Sequence, residues 1–193
     1  MLHHLRGKLT EKSPTHAVIE TQGVGYFLNI TVTTASQMGE GEVVLYVHEV
    51  IREDAHELYG FFDRSEREAF RKLIGVSGVG AGTARMVLSS MTPGDLASAI
   101  MNQDVNALKN VKGIGLKTAQ RILVDLQGKF GGPAGAGEIF AVSGNTTLNE
   151  ALTALSSLGF DKTKAQQTLD RILKSEGSNL SVEDLIRLAL RQM

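Results

Sequence analysis

Two short stretches carry residues whose types and spacing suit one kind of chemistry, the holding of an anion by bare backbone. Residues 73–88, LIGVSGVGAGTARMVL, align without a gap with residues 108–123, LKNVKGIGLKTAQRIL, at a constant offset of 35, and seven of the 16 positions are identical. The identities are Leu73/Leu108, Val76/Val111, Gly78/Gly113, Gly80/Gly115, Thr83/Thr118, Ala84/Ala119 and Leu88/Leu123. A repeat of this kind marks one structural unit used twice. Each copy reads as an apolar helix end, a Gly-aliphatic-Gly turn and a second helix. The glycines permit positive φ and let another backbone approach closely, Val79 or Ile114 plugs the turn into a core, and Ala84 or Ala119 lets two helices pack tightly. The second helix therefore begins in the open, where unpaired N–H groups and the positive end of the dipole suit a phosphate oxygen. Gly78, Val79, Gly80, Ala81 and Gly82 in the first copy, and Gly113, Ile114, Gly115 and Thr118 in the second, are the expected lining. Such contacts read no base edges, so the expectation is affinity without sequence preference.

The side chains around the two turns differ. Lys117 stands beside the second turn, with Lys112 and Arg121 nearby, whereas the first has Ala81 and Gly82 where a lysine could sit, leaving Arg85 and bare backbone to serve. One Gly-x-Gly between helices is often only a tight turn, and surface lysines are often only solvated charges. Two aligned copies in a basic segment favour phosphate binding. The net charge of -1 hides that segment. Residues 1–63 hold 4 Lys+Arg against 9 Asp+Glu, residues 64–130 hold 10 against 5, and residues 131–193 hold 6 against 7. Because salt confines a surface charge to a range of about 8–10 Å, local balance decides where a polyanion docks.

Other chemistries are excluded by particular residues. Gly113-Ile-Gly-Leu-Lys117-Thr118 approaches a nucleotide phosphate loop, but Leu116 stands where a glycine must precede the lysine. His48-Glu49-Val-Ile-Arg52 lacks the second histidine of a zinc-protease helix, and the five histidines show no ligand spacing. Zero cysteines remove thiol catalysis and cysteine-ligated metals. No catalytic residue, metal or cofactor is expected. No apolar run approaches the roughly 20 residues of a membrane span, and the N-terminus lacks the apolar stretch of a secretory signal, so no membrane association is expected and the cytoplasm is the expected location. Aromatic content of 5% with no Trp argues against a surface built on base stacking.

The elements that must position the turns follow from changes of pattern. Residues 1–63 show short β-type runs at 17–20, 25–32, 43–47, 50–51 and 56–62, with turn glycines at Gly23, Gly25, Gly39 and Gly41. Five or so short strands suggest a small barrel of the OB-fold type. Residues 64–130 turn to helical spacing and hold the tandem helix-hairpin-helix pair. Residues 131–145, with five Gly and one Pro, have the composition of a tether. Residues 146–193 carry capping-box patterns at Thr147–Glu150 and Ser181–Asp184, and apolar spacing for a three-helix bundle. The fold class is therefore α+β and multidomain.

Barrel, tandem hairpins, tether and helical tail together resemble the bacterial RuvA family over essentially the whole chain. The most specific pieces are Gly23-Val-Gly-Tyr26, the stretch IREDAHELYGF from Ile51 to Phe61, the two hairpins, and Leu155-Ser-Ser-Leu158-Gly159-Phe160. The resemblance implies a non-catalytic subunit that recognises four-way (Holliday) junction DNA in recombination and repair. It implies a homotetramer, with two tetramers able to sandwich the junction as an octamer, and partnership with the hexameric ATPase RuvB and the resolvase RuvC. It gives Glu53 and Asp54 the role of acidic pins at the tetramer centre, where they repel phosphates, and Arg52 a contact to DNA. From the residues alone, Glu53 and Asp54 are as well read as a solvated turn. The resemblance also makes Leu155, Leu158 and Phe160 apolar contacts to the ATPase. Leu155 and Leu158 face one side of a helix and must bury something, so core packing competes. Two departures stand out, the missing lysine of the first hairpin and the acidity of the barrel. The alternative from another class is a structure-selective repair nuclease, for which Glu53, Asp54 and Asp63 are the loose carboxylate candidates; a single-strand-binding barrel is disfavoured by the scarcity of aromatics.

Overall fold

The computed structural model describes residues 1–130, 146–176 and 180–192. The chain divides into two compact units, Met1–Gly137 and Glu138–Met193. The expected tether at 131–145 lies outside the described residues.

The first unit opens with five strands, β1 (His4–Lys12), β2 (His16–Thr21), β3 (Val24–Ile30), β4 (Glu42–Ile51) and β5 (His56–Phe61), closed in the order β1-β2-β3-β5-β4. All pairings are antiparallel except β3 with β5, which run parallel at Asn29/Tyr59 and Ile30/Gly60. The barrel closes because Leu5, Ala17, Ile19, Leu28, Ile30, Val43, Leu45 and Val47 all point inward from alternating positions. Gly7 is needed where β1 crosses β2, since a Cβ there would lie 2.2 Å from the Glu20 carbonyl oxygen.

The barrel has five strands, but they are not the five apolar runs of the sequence. The apolar runs at 43–47 and 50–51 form one strand, and β1 is a strand the pattern did not announce. Only Leu5 of β1 is fully buried, so its outward residues are polar and its apolar signal is thin. The expected continuation of the second run to Val32 is broken by a short helix, α1 (Val32–Gln37), capped by the Thr31 side chain, which accepts from the Thr34 amide.

Helices α2 (Arg64–Ile74), α3 (Ala81–Ser90), α4 (Pro93–Met101), α5 (Val105–Lys109) and α6 (Leu116–Leu126) follow. Thr92 and Asp95 form a reciprocal capping box at the start of α4, and those hydrogen bonds hold the Asp95 carboxyl below its ordinary range. Asp104 caps α5 by accepting from the amides of Asn106 and Ala107. The helices share one apolar core that also takes in Tyr59 and Phe61 of β5. Phe70 of α2 joins the two regions, with ring centroids 5.0 Å from Tyr59 and 4.9 Å from Phe61. A fully buried aromatic of this size contributes about 1.5–3 kcal/mol.

The second unit holds α7 (Thr146–Ser157), α8 (Lys162–Glu176) and α9 (Val182–Gln192), packed on Ala151, Leu152, Leu155, Ala165, Leu169, Ile172, Leu185 and Ala189. Ser181 caps α9 as its pattern implied, accepting from the Asp184 amide at 3.1 Å. Thr147, expected as a cap, lies instead within α7. The cap of α8 is Asp161, which accepts from the Lys164 amide at 2.9 Å.

Candidate nucleic-acid interface

The duplicated stretches fold into duplicated backbone. Gly78 has φ 86° and Gly113 φ 89°. Gly80 sits at φ -83°, ψ 170° and Gly115 at φ -84°, ψ 169°, each the N-cap of the following helix. The internal hydrogen bonds repeat as well. Val76 and Val79 amides donate to Leu73 and Val76 carbonyls, as Val111 and Ile114 amides do to Leu108 and Val111. The shared apolar positions are the buried ones. Leu73, Val76, Val79, Ala84 and Leu88 and their counterparts Leu108, Val111, Ile114, Ala119 and Leu123 all lie in the common core.

Each glycine in the turn has its own reason. Gly78 and Gly113 occupy the left-handed region, which costs an L-residue about 1–2 kcal/mol. Gly80 and Gly115 have ordinary extended backbone, and a Cβ on either would meet no atom of the chain within 4 Å. Neither strain nor internal packing requires glycine there, and the space beside each is open. The expectation that both glycines serve positive φ is corrected to the first of each pair. No side chain caps α3 or α6. With the Ala84 amide already bonded to the Gly80 carbonyl and Ala119 to Gly115, the amides of Ala81, Gly82 and Thr83, and of Leu116, Lys117 and Thr118, have no partner within their helices. They form the positive end of a helix dipole, open to an anion.

Ser77, Gly78, Lys117, Thr118, Gln120 and Arg121 line one open cleft of about 320 Å³, so residues of both hairpins share one surface. Arg121 spans it. Its guanidinium donates to the carbonyl and hydroxyl oxygens of Ser77, both at 3.3 Å, and it lies about 4.0 Å from where a Cβ on Gly78 would stand. The second copy thus lends a cation to the first turn, which sequence spacing did not reveal because the pair is separated by 44 residues.

Three family models match the sequence in order. They are the RuvA N terminal domain over residues 1–60, the SAM-like helix-hairpin-helix tandem over residues 70–128, and the RuvA C-terminal domain over residues 146–193. Among curated relatives, a protein of Christiangramia forsetii named Holliday junction branch migration complex subunit RuvA is 46% identical over 194 residues, covering 100% of both chains. Proteins of the same name from Bacteroides thetaiotaomicron and Porphyromonas gingivalis are 46% and 45% identical, again over 100% of both chains. The chain belongs to the RuvA family.

The remaining expected site residues of the hairpins fall into three groups. Lys112, Lys117 and Arg121 are exposed on the second hairpin. Val79, Ile114 and Ala81 have buried side chains and can offer only backbone. Arg85 is half-buried and committed elsewhere, donating to the Asn29 side-chain oxygen at 2.8 Å and the Thr15 carbonyl at 3.2 Å. It ties α3 to the barrel rather than standing as the free cation expected of the first hairpin.

Arg52, Glu53 and Asp54 lie exposed in the turn between β4 and β5, closed by the Arg52 amide donating to the Ala55 carbonyl at 2.8 Å. Arg52 pairs loosely with Glu57 at 3.9 Å, and the carboxylates of Glu53 and Asp54 have no ion-pair partner among the described residues. Glu53, Asp54 and Asp63 do not form the cluster a nuclease would need: among the described residues no three His, Asp or Glu side chains are placed to share a metal ion. None of the described helices is long and apolar enough to cross a membrane.

In the RuvA C-terminal unit, Leu155 and Leu158 part company. Helix α7 ends in a Schellman turn, with the Phe160 amide donating to the Leu155 carbonyl, the Gly159 amide to the Ser156 carbonyl, and Gly159 at φ 93°. That turn leaves Leu158 61% exposed, folds Phe160 back onto the core, and keeps Leu155 fully enclosed. The expectation of Leu155 as a direct contact is therefore corrected, because it is core.

Proposed function

We propose that this chain is the junction-binding, non-catalytic subunit of a branch-migration complex, gripping the phosphates of four-way DNA through the exposed helix starts of its two hairpins. Supporting this reading most directly are Gly80 and Gly115, glycines that the fold does not require, each at the uncapped start of a helix in the basic segment. The relatives carry the name of a Holliday junction branch migration complex subunit over their full length. In this reading residues 64–130 bind DNA, with Gly78 to Gly82, Gly113 to Gly115 and Thr118 presenting backbone and Lys112, Lys117 and Arg121 adding charge. Residues 1–63 present Arg52, Glu53 and Asp54 at the crossover, where two carboxylates repel phosphates and disfavour a closed, stacked junction.

The chain works as a homotetramer, paired into an octamer when the junction is sandwiched, and per-subunit affinity that is modest becomes large through four linked sites. Motor action comes from the ATPase RuvB, docked on residues 146–193 through exposed Leu158 and half-buried Phe160, and resolution from RuvC. The work is done in the cytoplasm. Band-shift titration of a synthetic four-way junction against linear duplex of the same arms tests the reading. Preference for the junction, indifferent to its sequence, is expected; equal binding of both, or magnesium-dependent cleavage, contradicts it. Removal of residues 146–193 is expected to leave junction binding intact and abolish stimulation of the ATPase.

A further inference from the structure

Beside the aromatic packing of Phe70 on Tyr59 and Phe61, the contact between barrel and helices also holds a buried polar knot. Glu66 of α2 is 2% exposed, and Thr31 and Thr34 at the start of α1 are fully buried. Both hydroxyls donate to the Glu66 carboxylate, Thr31 to one oxygen and Thr34 to the other at 2.6 Å. The same hydroxyls accept from backbone, Thr31 from the Thr34 amide at 2.9 Å and Thr34 from the Phe62 amide at 3.0 Å. Each hydroxyl both donates and accepts, and each carboxylate oxygen takes one hydroxyl, so the arrangement favours one setting of α2 against α1.

A second set of crossings binds α3 to the same side of the barrel. The Thr33 hydroxyl donates to the Leu88 carbonyl at 2.9 Å, the Val32 amide to the Ser89 hydroxyl at 3.2 Å, and Arg85 to Asn29 and Thr15. Helices α2 and α3 are the two arms of the first hairpin, flanking Gly78 and Gly80. The hairpin whose turn lacks a lysine is thus bolted to the barrel on both arms. The strand pair that carries Glu53 and Asp54, β4 and β5, packs on α2.

We propose that the Glu66–Thr31–Thr34 knot, with the Arg85–Asn29 clamp, is a positioning device that fixes the acidic turn of the barrel relative to the phosphate-binding turns and thereby sets preference for branched over linear DNA. The proposal rests on the junction-binding reading given above. Duplex binding needs only the hairpin amides and their cations, whereas a junction needs arms and crossover engaged together at one spacing. Directed hydrogen bonds between buried groups hold such a spacing where apolar surfaces could slide. Glu66 touches no DNA in this account and acts only through the setting of α2.

The test measures the ratio of duplex Kd to junction Kd for the wild-type chain and for Glu66→Gln, Glu66→Ala and Asn29→Ala, with melting temperature read alongside. Wild type must first prefer the junction; equal binding there overturns the junction reading itself. For Glu66→Ala the ratio is expected to fall about tenfold, the scale of one hydrogen bond to a charged group, with duplex affinity changed less than about twofold. Glu66→Gln, which keeps the shape and one acceptor, is expected to recover most of the ratio. Asn29→Ala leaves the buried knot intact, so it reports even where Glu66→Ala does not fold, and is expected to lower the ratio about threefold, less than a full charge-assisted bond because Arg85 keeps its bond to the Thr15 carbonyl. A ratio equal to wild type in folded Glu66→Ala or Asn29→Ala, or junction and duplex affinities falling together, overturns the proposal.

Discussion

The two hairpins have the same backbone and opposite surroundings. Their turn glycines differ by 3° in φ, at 86° and 89°, and their N-caps by 1° in each dihedral. Yet the first is fastened to the barrel through Glu66 and Arg85 and has no exposed lysine, while the second exposes Lys112, Lys117 and Arg121 and reaches across to Ser77. The two copies share one backbone while their surroundings divide anchoring from charge. A missing lysine in one copy is therefore a division of labour, since Arg121 supplies a cation beside the bare turn.

Four perturbations break or sharpen that comparison. Valine at Gly78 or Gly113 forces a β-branched residue into the left-handed region, and either change is expected to cost about 2 kcal/mol, roughly 30-fold in the folding equilibrium, by denaturant titration. Equal losses at both positions sharpen the backbone identity; a loss at only one breaks it. Next in size, Lys117→Glu is expected to weaken binding about tenfold on any sequence and to reduce the slope of log K against log salt by about 1. A loss that depends on sequence contradicts backbone-only recognition. Gly82→Lys gives the first hairpin the residue that Lys117 supplies in the second; a Cβ there meets nothing, and a gain of about threefold in affinity with a steeper salt slope is expected.

The smallest effect concerns pH. Burial raises the Glu66 carboxyl above its ordinary 4.5, against the opposing hydrogen bonds from Thr31 and Thr34, while Asp63 adds to the rise. A carboxyl raised in the folded state binds its proton more tightly there than in the unfolded chain. Its contribution is fully present below 4.5 and is lost as pH rises through the folded value. Melting temperature is expected to decline across that window in wild type more than in Glu66→Gln, and parallel curves contradict it.

Much of this was legible in the sequence because the signals were local or repeated. The hairpins declared themselves by alignment at a fixed offset, the tail by its periodicity, the α9 cap by Ser181 and Asp184. What escaped was carried by residues far apart or by thin apolar signals. Strand β1 buries little beyond Leu5, Arg121 and Ser77 meet only after the two copies pack, and Glu66 reads as a surface helix charge until α1 covers it. Helix α1 itself was hidden in a β-type run, where Thr31 as a cap outweighed the strand preference of Val32 and its threonines. Leu155 and Leu158 share one face in helical spacing, but α7 ends at Ser157 and Gly159 turns the chain, so Leu155 is core and Leu158 stands exposed.

The amides at the starts of α3 and α6 are the centre of the account, and the double variant Gly80→Val/Gly115→Val probes them with least disturbance of the fold. Fluorescence anisotropy with two four-way junctions of unrelated sequence, alongside a melting curve, gives the answer. The expected result is a folded protein with near-wild-type melting that has lost at least about 30-fold in affinity for both junctions alike, the worth of about 2 kcal/mol in charge-assisted backbone bonds. A folded double variant that holds either junction as tightly as wild type contradicts the account.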